Sequence, residues 1–179
     1  MGPREGWHEG GSALNAADAV RVTSRVDVDP DTAFRVFTEE VDAWWRTGPR
    51  FRWHAERRGT LRFEGGEGGR FVEVYPDGAS FEVGTIRVWD PPRRLVFGFR
   101  ARSFAPGEGT EVEVRFDPSG DATDVTVWHR GFAALRADHP ARHGLGGGAF
   151  ENMMGTFWAD LLTAARRHAA ARRSTGATT

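Results

Sequence analysis

Hydrophobic and polar residues alternate along two parts of the chain and recur at helical spacing along two others. In residues 19–28 the valines occupy even-numbered positions and charged or polar side chains occupy most of the others, which is typical of a half-buried strand. Pro30 then opens a segment in which apolar residues recur at helical spacing as far as Trp45. Thr38-Glu39-Glu40 is expected to divide this segment into two short helices.

From residue 59 to residue 130 the pattern has a period of two, in short runs separated by turns such as Pro76-Asp77-Gly78. Connections of about two to six residues favour antiparallel pairing, because parallel strands need much longer crossovers. Residues 132–148 show little regularity and are expected to form a loop. Residues 149–173 carry an apolar stripe at helical spacing, which predicts a long helix.

These elements predict an α+β fold, a curved antiparallel sheet of about seven strands around a long C-terminal helix, with two short helices after the first strand. The expected domain organisation is a flexible leader over residues 1–18, a single domain over residues 19–173 and a tail over residues 174–179. Alternation also predicts which sheet side chains face the long helix: Leu95, Phe97, Phe99, Val112, Val114, Phe116, Val125 and Val127.

The composition excludes several classes of chemistry. The 179 residues include no Cys, which excludes disulfides, thiolate metal sites and a cysteine nucleophile. All 24 residues counted as Lys or Arg are Arg, which excludes a P-loop and a Schiff-base lysine. A net charge of −1 creates no basic field for nucleic acid, and no apolar run approaches the ~20 residues of a membrane span. The expected location is the cytoplasm.

Several motifs together resemble a known superfamily: Phe34–Val41 followed by Trp44-Trp45, Gly68–Glu73, Gly84–Leu95, Thr110–Val114 and Thr123–Phe132. In this order, over roughly residues 20–170, the set is similar to the SRPBCC (START-like, helix-grip) superfamily. More narrowly, it resembles the family named after the C-terminal domain of the activator of heat-shock-protein-90 ATPase. The resemblance implies the helix-grip fold with a deep apolar cavity. It implies no single activity, because the superfamily includes carriers, receptors, cyclases and co-chaperone domains.

Aromatic residues dominate the candidate site. The chain has 13 Phe and 7 Trp but a single Tyr, and many of them fall on the face that the long helix should cover. They are expected to line a ligand cavity, since ligand pockets are mostly apolar with a few polar groups; the alternative is a packed aromatic core. The predicted pocket residues are Phe37, Trp45, Phe63, Phe71, Glu73, Trp89, Phe97, Phe99, Val114, His129, Met154, Phe157 and Trp158.

Two members of this set can carry a proton. His129 ends a strand on the inward face, where it could bind a ligand carbonyl or act as a general base. The alternative is a structural histidine that bonds a backbone carbonyl near the turn at Gly131. The face of Glu73 stays open, because Phe71 and Tyr75 share its side and Val72 and Val74 share the other. A buried glutamate would need a partner, such as a neighbour of Arg70 or His129 itself.

Other motifs point only weakly to a site. His139 and His143 are four residues apart, but Pro140 and Gly144 favour a loop over a helical metal site, and no third ligand is evident. His54 and Glu56 are similarly incomplete. Residues 144–149 fit the pattern G-x-G-x-x-A, but no strand leads into them, so we interpret them as a flexible hinge before the long helix that could gate the cavity. Neither a metal nor a cofactor is expected.

The leading hypothesis is a small-molecule binding protein that holds an apolar or aromatic ligand between the sheet and the C-terminal helix. An alternative is a polyketide cyclase-like or aromatase-like enzyme, in which His129 or Glu73 moves protons in the same cavity. A third hypothesis is a chaperone-interacting module that uses the outer face of the sheet, with Trp128 as its anchor. The chain is expected to be a monomer or a homodimer.

Overall fold

A computed structural model describes residues 19–54 and 56–176 of the protein, without the side chains of residues 175 and 176. The predicted leader, residues 1–18, and the last three residues of the predicted tail lie outside the described residues. The strands are β1 (Val20–Val26), β2 (Thr60–Glu64), β3 (Arg70–Val74), β4 (Ser80–Asp90), β5 (Arg94–Phe99), β6 (Thr110–Ser119) and β7 (Ala122–Arg130). The helices are α1 (Pro30–Glu39), α2 (Val41–Trp44) and α3 (Gly147–Gly176).

The strands form one antiparallel sheet in the order β1-β7-β6-β5-β4-β3-β2. Strands β2 to β7 form a meander in chain order. The first strand, β1, pairs with the outer edge of β7, where Val22 lies opposite Val127. The predicted α+β helix-grip fold is confirmed, with seven strands, the long C-terminal helix and two short helices after the first strand.

Local side-chain chemistry explains why the two short helices are separate. The Asp29 carboxylate caps α1 by accepting the backbone N–H of Thr32 at 2.9 Å. At the other end, the Thr38 hydroxyl donates to the carbonyl oxygen of Phe34 at 2.7 Å, and Glu40 leaves helical geometry at φ −109° and ψ 20°. The chain therefore turns before α2, as Thr38-Glu39-Glu40 predicts.

The sheet curves where β4 passes between its two neighbours. A β-carbon at Gly84 would lie 1.8 Å from the carbonyl oxygen of Gly98, so only glycine permits this approach of β4 to β5. The register also shifts between Phe71 and Val72 on β3 and between Ile86 and Val88 on β4. Such irregularities bend strands and re-aim their side chains, and here they let the sheet wrap around α3.

The main core fills the space between the concave face of the sheet and α3. Trp158, Leu161, Leu162 and Ala169 are at most 1% exposed on the helix side. All the sheet residues predicted to face the helix belong to this core or pack against it, Phe99 being partly buried and the others buried. The alternation of side chains therefore assigned the strand faces correctly.

A second, smaller core lies beyond the end of the sheet. Phe104, Phe132, Leu135 and Phe150 form it, with Met153 and Met154 packed against it. Its residues come from the loop between β5 and β6, from residues 131–146 and from the first turn of α3. The segment predicted as an irregular loop contains two one-turn 3₁₀ helices, Phe132–Ala134 and Pro140–Arg142, and α3 begins two residues before the predicted start.

Candidate functional site

A cavity of about 460 Å³ separates the main core from the second core. Its volume falls in the range of small-molecule sites, roughly 300–1,000 Å³. Apolar and aromatic side chains supply most of the wall, and no carboxylate from the described residues reaches it. The lining residues are Pro49, Arg50, Phe51, Arg52, Trp53, Phe99, Ala101, Arg102, Phe104, Thr110, His129, Phe132, Ala141, His143, Met153, Met154 and Phe157.

One wall is a strap, here residues 46–54 and 56–59, that connects α2 to β2 without forming a helix or strand. Arg52 anchors it from inside, with only 3% of its side chain exposed. Its guanidinium donates to the carbonyl oxygens of Trp45 at 3.2 Å, Arg46 at 3.3 Å and Gly59 at 3.3 Å, and to Asp42 Oδ1 at 3.0 Å. A buried guanidinium that satisfies its donors in this way holds irregular backbone in one conformation.

Glu73 and Arg52 together form what we call the strap anchor, and Glu73 does not line the cavity. It is fully buried, and its carboxylate accepts the backbone N–H of Trp53 at 3.2 Å and of Gly59 at 3.3 Å. The Tyr75 hydroxyl donates to it at 3.0 Å, and Arg52 Nη1 lies 3.8 Å away. Burial, and then the hydrogen bond to Glu73, raises the pKa of Tyr75 to about 12. The partners of Glu73 are thus strap residues and Tyr75, not the neighbours of Arg70 or His129 that we expected.

Hydrogen bonds from two tryptophan indoles hold the strap in place. Trp45 Nε1 donates to the carbonyl oxygen of Phe51 at 2.9 Å, and Trp53 Nε1 donates to the carbonyl oxygen of Arg100 at 2.8 Å. The ring of Phe51 stacks on Phe157 of α3, with centroids 5.4 Å apart and planes 17° apart. The strap therefore reaches both the sheet and the helix, and the cavity lies beneath it.

His129 is a buried polar residue of the cavity wall. Trp158 Nε1 donates to its Nδ1 at 3.1 Å, so its other nitrogen carries the proton of the neutral ring and donates to Thr110 Oγ1 at 2.7 Å. The Thr110 hydroxyl in turn donates to the carbonyl oxygen of Phe99 at 2.8 Å. Burial lowers the pKa of His129 to about 3. Both ring nitrogens are therefore engaged in hydrogen bonds, as in the structural alternative. The acceptor is the Thr110 hydroxyl, however, and not a backbone carbonyl.

The structure brings four of the predicted pocket residues to the cavity wall: Phe99, His129, Met154 and Phe157. Glu73 lies in the strap anchor. The remaining predicted residues pack in the main core, in contact with one another rather than around a space: Phe37, Trp45, Phe63, Phe71, Trp89, Phe97, Val114 and Trp158. Phe63 stacks on Phe71 with centroids 4.3 Å apart, which is the packed-core alternative for this part of the molecule.

Sequence reasoning missed the strap and the second core. Residues 49–53 supply five consecutive lining residues, and Phe104, Phe132 and Met153 supply more. Residues 50–58 are basic and aromatic but have no period, so no face could be assigned to them. The one available signal was the number of aromatic side chains in segments with no regular pattern, because such side chains in a loop must pack against something.

Neither His139 with His143 nor His54 with Glu56 belongs to a metal site in the described part of the chain. His139 accepts the backbone N–H of Ala141 on its Nδ1 at 3.1 Å and pairs with Glu108 through Nε2 at 3.1 Å. His54 accepts the backbone N–H of Glu56 at 3.3 Å. Over residues 19–54 and 56–176, no three histidine, aspartate or glutamate side chains form a group that could hold a metal ion.

No helix in the described part of the chain is long and apolar enough to cross a membrane.

Solved structures with this architecture include proteins with different roles. The self-sacrificing resistance protein CalC from Micromonospora echinospora is 27% identical, with a TM-score of 0.59 over 88% of this chain and 97% of that one. A protein from Nitrosomonas europaea is 17% identical, with a TM-score of 0.60 over 90% and 99%. An Hsp90 activator from Plasmodium falciparum is 17% identical, with a TM-score of 0.56 over 82% and 91%. The last two likenesses show the fold alone.

A comparison with curated proteins finds no significant match. The family model described as "Activator of Hsp90 ATPase homolog 1-like protein" matches residues 27–156. This span runs from the turn before α1 into α3 and includes the strap, Glu73, His129 and nearly all of the cavity wall. The resemblance noted from the sequence motifs is confirmed, and the chain belongs to the family of Activator of Hsp90 ATPase homolog 1-like proteins.

Proposed function

We propose that this protein binds a small, largely apolar molecule in the cavity beneath the strap. The observation that carries the proposal is the wall itself: aromatic side chains from a loop, a sheet and a helix surround about 460 Å³, and hydrogen bonds from Arg52 and to Glu73 hold the backbone of the strap in place. A chain that needed only a stable core could have packed this space, as it does a few ångströms away around Phe71 and Trp158.

The cyclase-like alternative receives less support from the same wall. It needs a group that moves protons, and His129 is neutral, with its Nδ1 and Nε2 engaged by Trp158 and Thr110. Glu73, the other candidate, is turned into the strap anchor and accepts three hydrogen bonds there. A binding role uses the cavity as it stands and requires neither residue to change its partners.

The chaperone-interacting alternative depends on the outer face of the sheet. There Trp128 is covered by guanidinium groups, with Arg21 5.4 Å and Arg115 5.1 Å from its ring centroid. A ring covered by cations is a poor apolar anchor until those side chains move. The Hsp90-activating role is that of the Plasmodium falciparum protein, and for this chain it is an outcome of the test below.

The test is native mass spectrometry of the freshly purified protein, followed by binding of an apolar fluorescent dye. Ala101 lines the cavity and Ala105, four residues further along the same loop, is exposed and does not. Ala101→Trp should fill the cavity and abolish dye binding, whereas Ala105→Trp should leave it unchanged. Equal dye binding by both variants, or no binding by the unaltered protein, would overturn the proposal. Capture of a chaperone by the Ala101→Trp variant as well as by the unaltered protein would favour the interaction module.

A further inference from the structure

The charged side chains around the cavity are all cationic. Arg50, Arg52 and Arg102 line it, His143 adds an imidazole, and no carboxylate is among the lining residues that the structure describes. The chain as a whole has a net charge of −1, so this local excess does not follow from composition. It is instead a property of where the strap and the β5–β6 loop place their side chains.

The three arginines differ in how far their charge is compensated. Arg52 is buried against Asp42 and Glu73, as described above, so its charge is neutralised inside the protein. Arg50 lies 3.7 Å from Asp160, but Arg46 lies 3.4 Å from the same Oδ2 atom, so two guanidinium groups share one carboxylate. One of the two positive charges of Arg46 and Arg50 therefore remains uncompensated by Asp160.

Arg102 is exposed and has no carboxylate within ion-pair distance among the described residues. Its guanidinium lies 5.8 Å from the ring centroid of Phe81, and that of Arg100 lies 5.6 Å from the same centroid. The Nε atom of Arg100 is buried without a hydrogen-bond partner in the described structure. Two guanidinium groups beside one ring, neither paired with an acidic side chain in the described part of the chain, form a site that favours a negative charge.

We propose that the natural ligand is an apolar or aromatic molecule with one anionic group, such as a carboxylate or an ionised phenol, and that Arg102 binds this group at the cavity mouth. The inference rests on the proposed binding function and adds the charge of the ligand to it. The apolar part lies among Phe51, Phe99 and Phe157, and the anion pairs with Arg102, which has no carboxylate partner among residues 19–54 and 56–176. Arg50 adds a longer-range attraction from the strap.

A matched pair of dyes tests the charge separately from the cavity. The probes are 8-anilinonaphthalene-1-sulfonate, which is anionic, and N-phenyl-1-naphthylamine, which has the same ring system without the sulfonate. The Arg102→Gln variant should bind the anionic dye about tenfold more weakly, the scale of one charge-assisted hydrogen bond, and the neutral dye as before. Arg136→Gln is the control, because it removes the same charge from an exposed side chain that does not line the cavity.

A variant of the opposite sign strengthens the test. Asp160→Asn frees Arg46 and Arg50 from their shared carboxylate, so it should tighten binding of the anionic dye several-fold and leave the neutral dye unchanged. The thermal midpoint of each variant should stay within a few degrees of the unaltered protein, since exposed ion pairs contribute little to stability.

The outcomes separate the two proposals. If neither dye binds the unaltered protein, the binding function fails and this inference with it. If both dyes bind equally well and Arg102→Gln weakens neither, the cavity stands but the anion preference is wrong. The same conclusion follows if Arg136→Gln weakens the anionic dye as much as Arg102→Gln does.

Discussion

The indole of Trp158 donates its Nε1 hydrogen to Nδ1 of His129 across 3.1 Å in the interior of the protein, where both side chains are at most 1% exposed. The bond requires the ring of His129 to be neutral, because a protonated imidazole has no acceptor. It thereby connects the main core, to which Trp158 belongs, with the polar part of the cavity wall. The stability of the folded protein is therefore expected to depend on the protonation state of His129.

The first prediction concerns pH. The pKa of His129 is lowered from its ordinary value of 6.5 to about 3 by burial, so below pH 6.5 the unfolded chain binds a proton there that the folded protein does not. Stability from this residue is therefore complete above pH 6.5 and is lost as the pH falls toward 3, by about 1.4 kcal/mol per pH unit for one proton. Urea unfolding at pH 7, 6 and 5 measures this slope.

The control for that slope is His129→Gln, whose amide can accept from Trp158 and donate to Thr110 but does not titrate in this range. Its free energy of unfolding should depend less on pH between 6.5 and 4 than that of the unaltered protein, by about one proton. If the unaltered protein and the His129→Gln variant show the same slope of unfolding free energy against pH, the prediction is wrong. The pH dependence then comes from groups other than His129.

The second prediction compares adjacent residues on α3. Trp158 is fully buried and does not line the cavity, so Trp158→Ala should cost about 3–5 kcal/mol of stability. Phe157 is partly buried and lines the cavity against Phe51, so Phe157→Ala should cost less stability while weakening binding of an apolar dye. Thermal melting and dye titration of both variants give the comparison. A Trp158→Ala protein that keeps its melting temperature but loses dye binding would show that Trp158 contributes to ligand binding and not to the core alone.

The third prediction concerns the strap anchor. Glu73→Gln removes the charge that faces the buried guanidinium of Arg52, and loss of one member of a buried ion pair costs roughly 3 kcal/mol. The amides of Trp53 and Gly59, which donate to Glu73, should exchange faster with solvent. Glu64→Gln is the matched control on the neighbouring strand, where a more exposed pair with Arg70 is worth about 0–1 kcal/mol. Unchanged exchange at Trp53 would show that Arg52 and the tryptophans hold the strap without the charge of Glu73.

The fourth prediction concerns the glycine segment before α3. Gly144 has a φ of 69°, and Leu145 is 36% exposed, so little packing holds this turn to the second core. Its amides should exchange much faster than those of Met154 and Trp158 within the helix, as a hinge requires. Hydrogen exchange followed by mass spectrometry measures this. Protection equal to that of the strands would exclude a gate here.

The fold was predictable because period-two alternation and helical spacing are local properties of the chain. Val112, Val114, Val125 and Val127 had to share one face once strands were assigned, and short turns allowed only antiparallel neighbours. The break at Thr38-Glu39-Glu40 was equally local, since the hydroxyl of Thr38 competes for a carbonyl of its own helix. These inferences needed no knowledge of what packs against what.

The cavity depended on contacts between segments that are distant in sequence. Alternation placed Phe97 and Phe99 on the same concave face, but only the strap and the second core decide that Phe97 is packed while Phe99 borders a space. The orientation of Glu73 likewise depends on a bulge in β3 and on the position of Arg52, 21 residues earlier. Periodicity determines the face on which a side chain lies; the tertiary structure decides whether that face meets another side chain or a cavity, because irregular loops with no period of their own cover it.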